Sequence, residues 1–410
     1  MDSTILIVPL VAVVAPLLAA LVRRALVVPL IVFEIGLGML VGPSGLGWVQ
    51  QTELLGALSQ LGLAMLFFMA GNEIDPASVR GRSGGRALGG WAVSAVIAAA
   101  AAVFLADTVQ AGAIIAIALT GTALGTITPI LRDAGLNRGP LGGAIGAAGA
   151  VGEFAPLVAI SVFFSGRQPL AGLLTLLLFL GAASLAFAVA AHGRRQWLGR
   201  MVSATLHTSG QFAIRFVIAL LAALVALAVA LGVDFLLGAF AAGMLARVVL
   251  RDGDPDEQRV IGAKLESIAF GFFVPVFFVA TGVSFPLRSL LADPASLALV
   301  PVFALVMLLA RGLPGFFAPG RGSSLSDRRT AALFTATTLP LVIAVAQIGT
   351  DAGVLDERLA AALVGGGMLT VLLFPMLALV GREDRPAGEG SAAAGAPDGE
   401  AGPLPAEAHE

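Results

Sequence analysis

The chain has 410 residues, of which 58% are hydrophobic and 12% are charged, and its mean hydropathy is +0.96. Soluble domains carry about 25% charged residues, so this composition indicates a protein that is solvated by lipid. The net charge of -2 gives no sign of a nucleic-acid partner, and the absence of cysteine excludes disulfides, thiolate metal sites and cysteine catalysis. The three histidines, His192, His207 and His409, fall in polar segments. We therefore expect neither a cofactor nor a resident metal.

Apolar runs of membrane-spanning length fill most of the chain. Thirteen of them are predicted as transmembrane helices, at approximately 4–22, 27–42, 54–71, 87–106, 111–131, 142–165, 170–191, 212–231, 234–250, 266–283, 297–317, 330–349 and 359–380. Beyond these runs the composition changes to Gly, Ala, Pro and Glu, which predicts a disordered tail at 381–410 after a transmembrane domain at 1–380. The predicted fold class is an all-α polytopic membrane protein.

Basic residues are distributed unequally between the two sets of loops that thirteen spans create. Of the 24 lysines and arginines, only Arg167, Arg288 and Arg358 fall in one set, two lie within spans, and the remainder fall in the other set. Positive charge favours cytoplasmic loops. The sequence therefore predicts a plasma (inner) membrane protein with its N-terminus outside and its C-terminus in the cytoplasm.

The first six and last six spans show a weak internal repetition. "LFFMAGNEIDP" (66–76) resembles "VFFVATGVSFP" (276–286), at the ends of the third and tenth spans. With the seventh span as a connector, corresponding spans of the two halves would cross the membrane in opposite directions. This arrangement is typical of inverted-repeat transporters.

The fifth span of each half contains threonine together with glycine or proline. The first cluster is "ALTGTALGTITPIL" (118–131), and the second, "TATTLPLVIAV" (335–345), includes Thr337, Thr338 and Pro340. Such compositions interrupt helices where unwound backbone faces a binding site. The alternative is that threonine and glycine mark tight helix packing.

Two charged residues fall deep within predicted spans. Glu153 lies near the middle of its span, roughly 16 Å of helical rise from either end. An ionised group at this depth costs ~2.5–3.5 kcal/mol, so Glu153 is a functional-site candidate, the alternative being a protonated side chain bonded to a neighbouring helix. Arg311 is the second deep charge and requires an anion, a dipole or water. Glu153 is the midplane carboxylate that could pair with it, whereas Glu34 is less deep and is interpreted as structural.

Five segments together resemble the monovalent cation/proton antiporter family. They are "VPLIVFEIGLGMLVGPSGLG" (28–47), "LSQLGLAMLFFMAGNEIDP" (58–76), "ALTGTALGTITPILRDAGL" (118–136), "LGAFAAGMLAR" (237–247) and "FGFFVPVFFVATGVSF" (270–285). The resemblance covers residues 1–380. It implies a homodimer in which a scaffold domain lies beside a six-helix core. In that core two broken helices cross beside a carboxylate on the sixth span, and the core moves like an elevator.

Individual positions match the family's motifs. The resemblance assigns Thr120, Gly121 and Thr122 to the first broken helix, Glu153 to the ion-binding acid and Arg311 to a basic residue of the core. Thr337, Thr338 and Pro340 occupy the corresponding place in the second broken helix. The chain departs from the pattern at the position before the acid, because family members usually have Asp-Asp or Asn-Asp where this chain has Gly152 and Glu153.

The implied function is the exchange of a monovalent cation for H⁺ by alternating access, and both Na⁺ and K⁺ fit it. A single carboxylate implies electroneutral exchange. One alternative is a non-transporting sensor or structural subunit with a permanent Glu153–Arg311 ion pair, and another is an ion channel. An enzyme is not indicated, because the sequence shows no nucleophile, metal cluster or phosphate-binding loop at a membrane face.

Overall fold

The computed structural model describes residues 3–22, 28–74, 81–137, 139–164, 169–192, 211–250 and 255–380. All regular elements within these ranges are helices, which confirms the all-α class. The predicted tail at 381–410, His207 and Arg167 lie outside the described residues. The disordered tail and the division into two domains therefore stay predictions.

Helices make up most of the described ranges. In chain order they are α1 (Ser3–Val22), α2 (Leu30–Val41), α3 (Glu53–Glu73), α4 (Gly81–Leu105), α5 (Val109–Leu119), α6 (Leu124–Asp133), α7 (Gly139–Phe163), α8 (Pro169–His192), α9 (Phe212–Leu231), α10 (Phe235–Leu250), α11 (Pro255–Ile268), α12 (Val274–Ser284), α13 (Leu287–Ala292), α14 (Pro294–Met307), α15 (Leu313–Phe317), α16 (Leu325–Ala336), α17 (Pro340–Asp351) and α18 (Glu357–Leu379). Two π-helical turns, Ala269–Phe273 and Leu308–Gly312, join α11 to α12 and α14 to α15.

Eleven helical stretches of the described residues are long and apolar enough to cross a membrane. The two remaining predicted spans coincide with shorter apolar helices, α2 and α10. A helix perpendicular to the bilayer needs at least about 17 residues to cross it. The polytopic membrane architecture is thus confirmed, whereas the count of thirteen stays a prediction.

The two predicted broken helices are confirmed. The first consists of α5 and α6, which are separated at residues 120–123, and the second consists of α16 and α17, which are separated at 337–339. Pro340 is the first residue of α17, the position at which its missing N–H costs nothing. The two interruptions meet inside the bundle, where the Ala123 N–H donates a hydrogen bond to the Thr337 carbonyl over 2.9 Å.

Glycine lets α3 pack directly against the backbone of α10. A Cβ atom on Gly71 of α3 would overlap the Phe240 carbonyl, and one on Gly243 of α10 would overlap the Phe68 carbonyl. Backbone-to-backbone contact of this kind is typical of helix pairs in membranes. It fixes the position of the last turn of α3, which ends at Glu73.

Candidate functional site

Backbone hydrogen bonds join three segments where the broken helices cross. The Thr122 N–H donates to the Gly152 carbonyl of α7 over 3.1 Å, and the next N–H, of Ala123, donates to Thr337. A Cβ atom on Gly121 would lie 2.9 Å from the Thr338 hydroxyl oxygen and 2.7 Å from Leu341 Cδ2. A side chain at residue 121 would therefore force Leu341 or Thr338 to move.

Glu153 lies beside this crossing and is 4% exposed. Its carboxyl group faces the backbone N–H of Leu124, the first residue of α6. The positive end of the α6 dipole is therefore directed at the carboxyl group. The carboxylate oxygen Oε2 is buried without a hydrogen-bond partner, so it is able to bind a proton or a cation.

Further oxygen atoms surround the crossing. The hydroxyls of Thr338 and Thr126 are buried and have no hydrogen-bond partner, whereas the Thr120 hydroxyl donates to the Ile117 carbonyl over 2.8 Å. The second interruption is stabilised by Thr370 of α18. Its hydroxyl oxygen accepts a hydrogen bond from the Thr338 N–H over 3.1 Å and lies 2.9 Å from the Thr338 carbonyl oxygen.

Arg311 lies in the second π-helical turn and is 2% exposed. Its Nε and Nη2 atoms donate to the Thr122 hydroxyl over 2.9 and 2.8 Å. Nη2 also donates to the Ala148 carbonyl over 2.9 Å, and Nη1 donates to the Ser94 hydroxyl over 3.3 Å. A guanidinium is always charged, and here its donors are satisfied by neutral oxygen atoms.

The predicted ion pair between Glu153 and Arg311 is not formed in this structure. The reason is the residue before the acid. A Cβ atom on Gly152 would lie 2.8 Å from the Thr122 hydroxyl oxygen and would overlap Arg311 Nη2, so the guanidinium occupies the space that a side chain would need. Successive residues of a helix point about 100° apart. Glu153 consequently faces α6, whereas Arg311 packs against the side of α7 on which Gly152 lies.

The remaining predicted residues separate into two groups. Thr120, Gly121, Thr122, Thr337, Thr338 and Pro340 are brought together at the crossing beside Glu153. Glu34 is not part of this group. It is 2% exposed on α2, a helix that packs mainly against α1 and α12.

Ser94, Thr370 and the Ala148 carbonyl were not predicted from the sequence. Ser94 and Thr370 are single hydroxyls in apolar spans. In helices such residues most often bond to their own backbone, as Ser94 also does to Gly90 over 3.0 Å. Their spacing alone therefore does not distinguish them from packing residues.

One carboxylate and several neutral oxygens make up the donor set. Among the described residues no group of three or more His, Cys, Asp or Glu side chains is placed to hold a metal ion. Hard cations prefer oxygen ligands, and a single negative charge balances a monovalent ion. The arrangement suits an alkali cation or a proton.

A cavity of about 420 Å³ lies between α3, α12, α17 and α18. Its polar lining residues are Gln51, Ser59, Gln60, Thr281, Ser284, Gln347, Thr350, Asp351 and Glu357. We call the end of the bundle that carries Arg132 and Arg247 the basic end. The cavity approaches α17 from the opposite end. On the basic side of the crossing, Arg86, Ala148, Arg311 and Thr335 border a space of about 10 Å³. That is room for one water molecule.

Comparison with known proteins gives a family match over most of the chain. The pattern of the transmembrane sodium/hydrogen exchangers matches residues 10–379. The putative Na(+)/H(+) antiporter YjbQ of Bacillus subtilis is 28% identical over 408 residues, which cover 94% of this chain and 64% of that protein. The chain thus spans slightly less than two thirds of the length of YjbQ.

Two further proteins are similar along much of the chain. The probable Na(+)/H(+) antiporter 3 of Methanocaldococcus jannaschii is 23% identical, over 83% of this chain and 87% of its own. The structure of the sodium proton antiporter MjNhaP1 from the same organism superposes with a TM-score of 0.60 at 15% identity and covers 92% of this chain and 95% of that chain. The fold is therefore shared with MjNhaP1. The match along residues 10–379 shows that the chain belongs to the sodium/hydrogen exchanger family of transmembrane proteins.

Proposed function

We propose that the protein exchanges a monovalent cation, Na⁺ or K⁺, for H⁺ across the membrane by alternating access. The observation that carries the proposal is the Glu153 carboxylate, which is buried at the crossing of two broken helices with one oxygen unpaired. Membership of the exchanger family supports the same activity. A relative from Bacillus cereus, 25% identical over 62% of this chain, is named a Na(+)/H(+)-K(+) antiporter, so both cations are candidates.

In this mechanism a proton and a cation compete for Glu153. The unpaired Oε2 atom, the Thr338 hydroxyl and the carbonyls of the interrupted helices supply oxygen ligands that replace the water of a hard cation. Either ligand neutralises the carboxylate, which lowers the cost of moving the site through an apolar environment. An empty, charged site stays in place, and this condition makes the exchange obligatory.

Arg311 has a structural role in this scheme. Its guanidinium holds the first interruption to α7 through Thr122 and Ala148 and stays charged throughout the cycle. Glu153 is then the one group at the crossing whose charge changes. One proton is exchanged for one cation, and the cycle moves no net charge.

We also propose the arrangement that the family resemblance implies. Two protomers associate in the plasma membrane through a scaffold that includes α1, α2 and α12, and the core that carries Glu153 moves against it. The N-terminus faces the outside and the C-terminus the cytoplasm, because the basic loops favour the cytoplasm. The basic end of the bundle is then cytoplasmic, and the 420 Å³ cavity opens to the outside.

Purified protein in proteoliposomes with a lumenal pH dye tests this function. Na⁺ or K⁺ applied across the membrane should produce a proton flux that choline does not produce. Glu153→Gln should abolish the flux while the protein stays folded, because glutamine is nearly isosteric but cannot exchange a proton for a cation. Glu34→Gln, a change at a buried carboxylate away from the crossing, should retain it.

Three outcomes would contradict the proposal. Normal flux in Glu153→Gln would remove this carboxylate from the mechanism. Cation flux that continues without proton movement would indicate a channel, whereas a folded wild-type protein without any flux would indicate a sensor or structural subunit.

A further inference from the structure

A further carboxylate, Glu73, ends α3 at the basic end of the bundle and is half-buried. Its side chain faces the Thr128 hydroxyl, which donates to the Leu124 carbonyl, and its Oε2 atom is buried without a hydrogen-bond partner. An unpaired carboxylate oxygen in a buried place is costly unless a proton or cation visits it. The mechanism at Glu153 leaves Glu73 unexplained.

Helix α6 links Glu73 to the site. It packs against both α3 and α7. The Leu124 N–H, at the start of α6, faces Glu153, and the Thr128 hydroxyl, one turn later, faces Glu73. Four residues of helix correspond to about 6 Å of rise, so α6 holds the two carboxyl groups roughly one turn apart along its axis. At such a separation two ionised carboxylates repel each other.

Hydroxyl groups lie along the same stretch of α6. The Thr126 hydroxyl, between the two contact points, is buried and has no hydrogen-bond partner. The Thr128 hydroxyl also lies 2.8 Å from the Leu124 carbonyl oxygen. A cation that moves between the carboxylates would thus meet oxygen ligands within one helical turn.

The charged groups that face Glu73 leave its carboxylate available. Arg247 of α10 donates to the backbone carbonyls of Asn72 and Glu73 over 2.7 and 3.3 Å. Arg132 of α6 lies 3.9 Å from the Glu266 carboxylate of α11. Glu153 is the one charged residue of α7, and α12 has no charged residue. At the basic end two arginines, Arg132 and Arg247, therefore lie near two glutamates, Glu73 and Glu266.

We propose that Glu73 is a second site for a proton or a hydrated alkali cation, placed between Glu153 and the basic end of the bundle. The inference rests on the proposed exchange at Glu153 and adds an access route to it. Thr128 lies at the step between the two carboxylates. Because Glu73 equilibrates with one side of the membrane only, it leaves the number of charges moved per cycle unchanged.

The test compares the two sides of the membrane. Full-length Glu73→Gln is reconstituted, and the apparent KM for Na⁺ is measured separately with Na⁺ applied at the basic end and at the opposite end. The change removes one negative charge and leaves two arginines facing one glutamate. The apparent KM at the basic end should rise about tenfold at low salt, because the local field no longer concentrates cations there. The KM at the opposite end and the maximal rate should be unchanged.

Two variants serve as controls. Glu73→Asp keeps the charge and should recover most of the affinity. Glu266→Gln removes a charge from the same end, but its side chain is 47% exposed and it is the partner of Arg132. It should have a clearly smaller effect. If Glu73→Gln does not fold, Thr128→Val, which removes the hydroxyl that faces Glu73, should raise the KM at the same end.

Three results would overturn the inference: an unchanged KM, an equal rise at both ends, or an equal effect of Glu266→Gln. The last would reduce Glu73 to a contribution to surface charge. These results differ from a failure of the proposed function, in which the wild-type protein shows no exchange or Glu153→Gln retains it.

Discussion

Arg311 and Thr122 are joined by two hydrogen bonds, from Nε and Nη2 of the guanidinium to one hydroxyl oxygen. The same hydroxyl donates to the Thr335 carbonyl just before the second interruption. The deepest positive charge of the described bundle therefore holds the two broken helices together. Its acceptors are neutral, and the single carboxylate of the site is left to the transported ions.

Replacement of Arg311 tests this role. Arg311→Ala removes every hydrogen bond of the guanidinium, and bonds to charged groups contribute about 1.5–3 kcal/mol each. We expect a marked loss of thermal stability in detergent. Arg311→Lys should recover part of it, because an ammonium replaces the charge but cannot reproduce the fork of donors. An unchanged melting temperature, with only a shifted pH profile of transport, would instead support an ion pair with Glu153.

Gly152 should be intolerant of any side chain. Gly152→Ala places a Cβ where Arg311 Nη2 lies, and overpacking of this kind costs about 1–3 kcal/mol. Gly146 is a matched control on the same helix, since a Cβ there meets nothing within 4 Å. Gly146→Ala should be neutral or stabilising, because alanine is favoured over glycine within helices. Equal melting temperatures for the two variants would show that the arginine does not depend on this space.

Exchange should be electroneutral. Glu153 balances one positive charge at a time, and Arg311 does not titrate in the accessible pH range. Each net elementary charge moved would add ~2.3 kcal/mol per 100 mV of imposed potential. Na⁺/H⁺ exchange with the potential set by valinomycin and K⁺ should therefore be insensitive to voltage. Transient currents on a solid-supported membrane that show net charge per cycle would contradict the one-for-one scheme and make Glu73 the first candidate for a second carrier.

Features encoded locally were predictable from the sequence. The interruptions at 120–123 and 337–339 follow from threonine, glycine and proline, which weaken helical hydrogen bonding wherever they cluster. The depth of Glu153 follows from its distance to both ends of an apolar run, and the structure places it in the interior. The membrane architecture follows from composition alone.

Features set by tertiary packing were not predictable. Arg311 and Thr122 are 189 residues apart in the chain, so their contact depends on how distant helices pack. From charge alone, Glu153 was the expected partner of Arg311. In the structure the guanidinium occupies the space left by the missing Cβ of Gly152 and bonds to hydroxyl and carbonyl oxygens instead. Glu73 was not predicted as a functional residue, because a carboxylate at the end of a span is usually solvated. Here α6 packs against α3, and the Oε2 atom of Glu73 is buried.

Competition between protons and cations at Glu153 is the central claim, and the apparent KM for Na⁺ measured over a series of pH values at one side of the membrane tests it most directly. If one proton excludes one cation, the KM should rise about tenfold for each pH unit on the acid side. The maximal rate at saturating Na⁺ should stay constant. A KM that does not change while the maximal rate falls with acidification would show that protons act at another site, and it would contradict exchange at a single shared carboxylate.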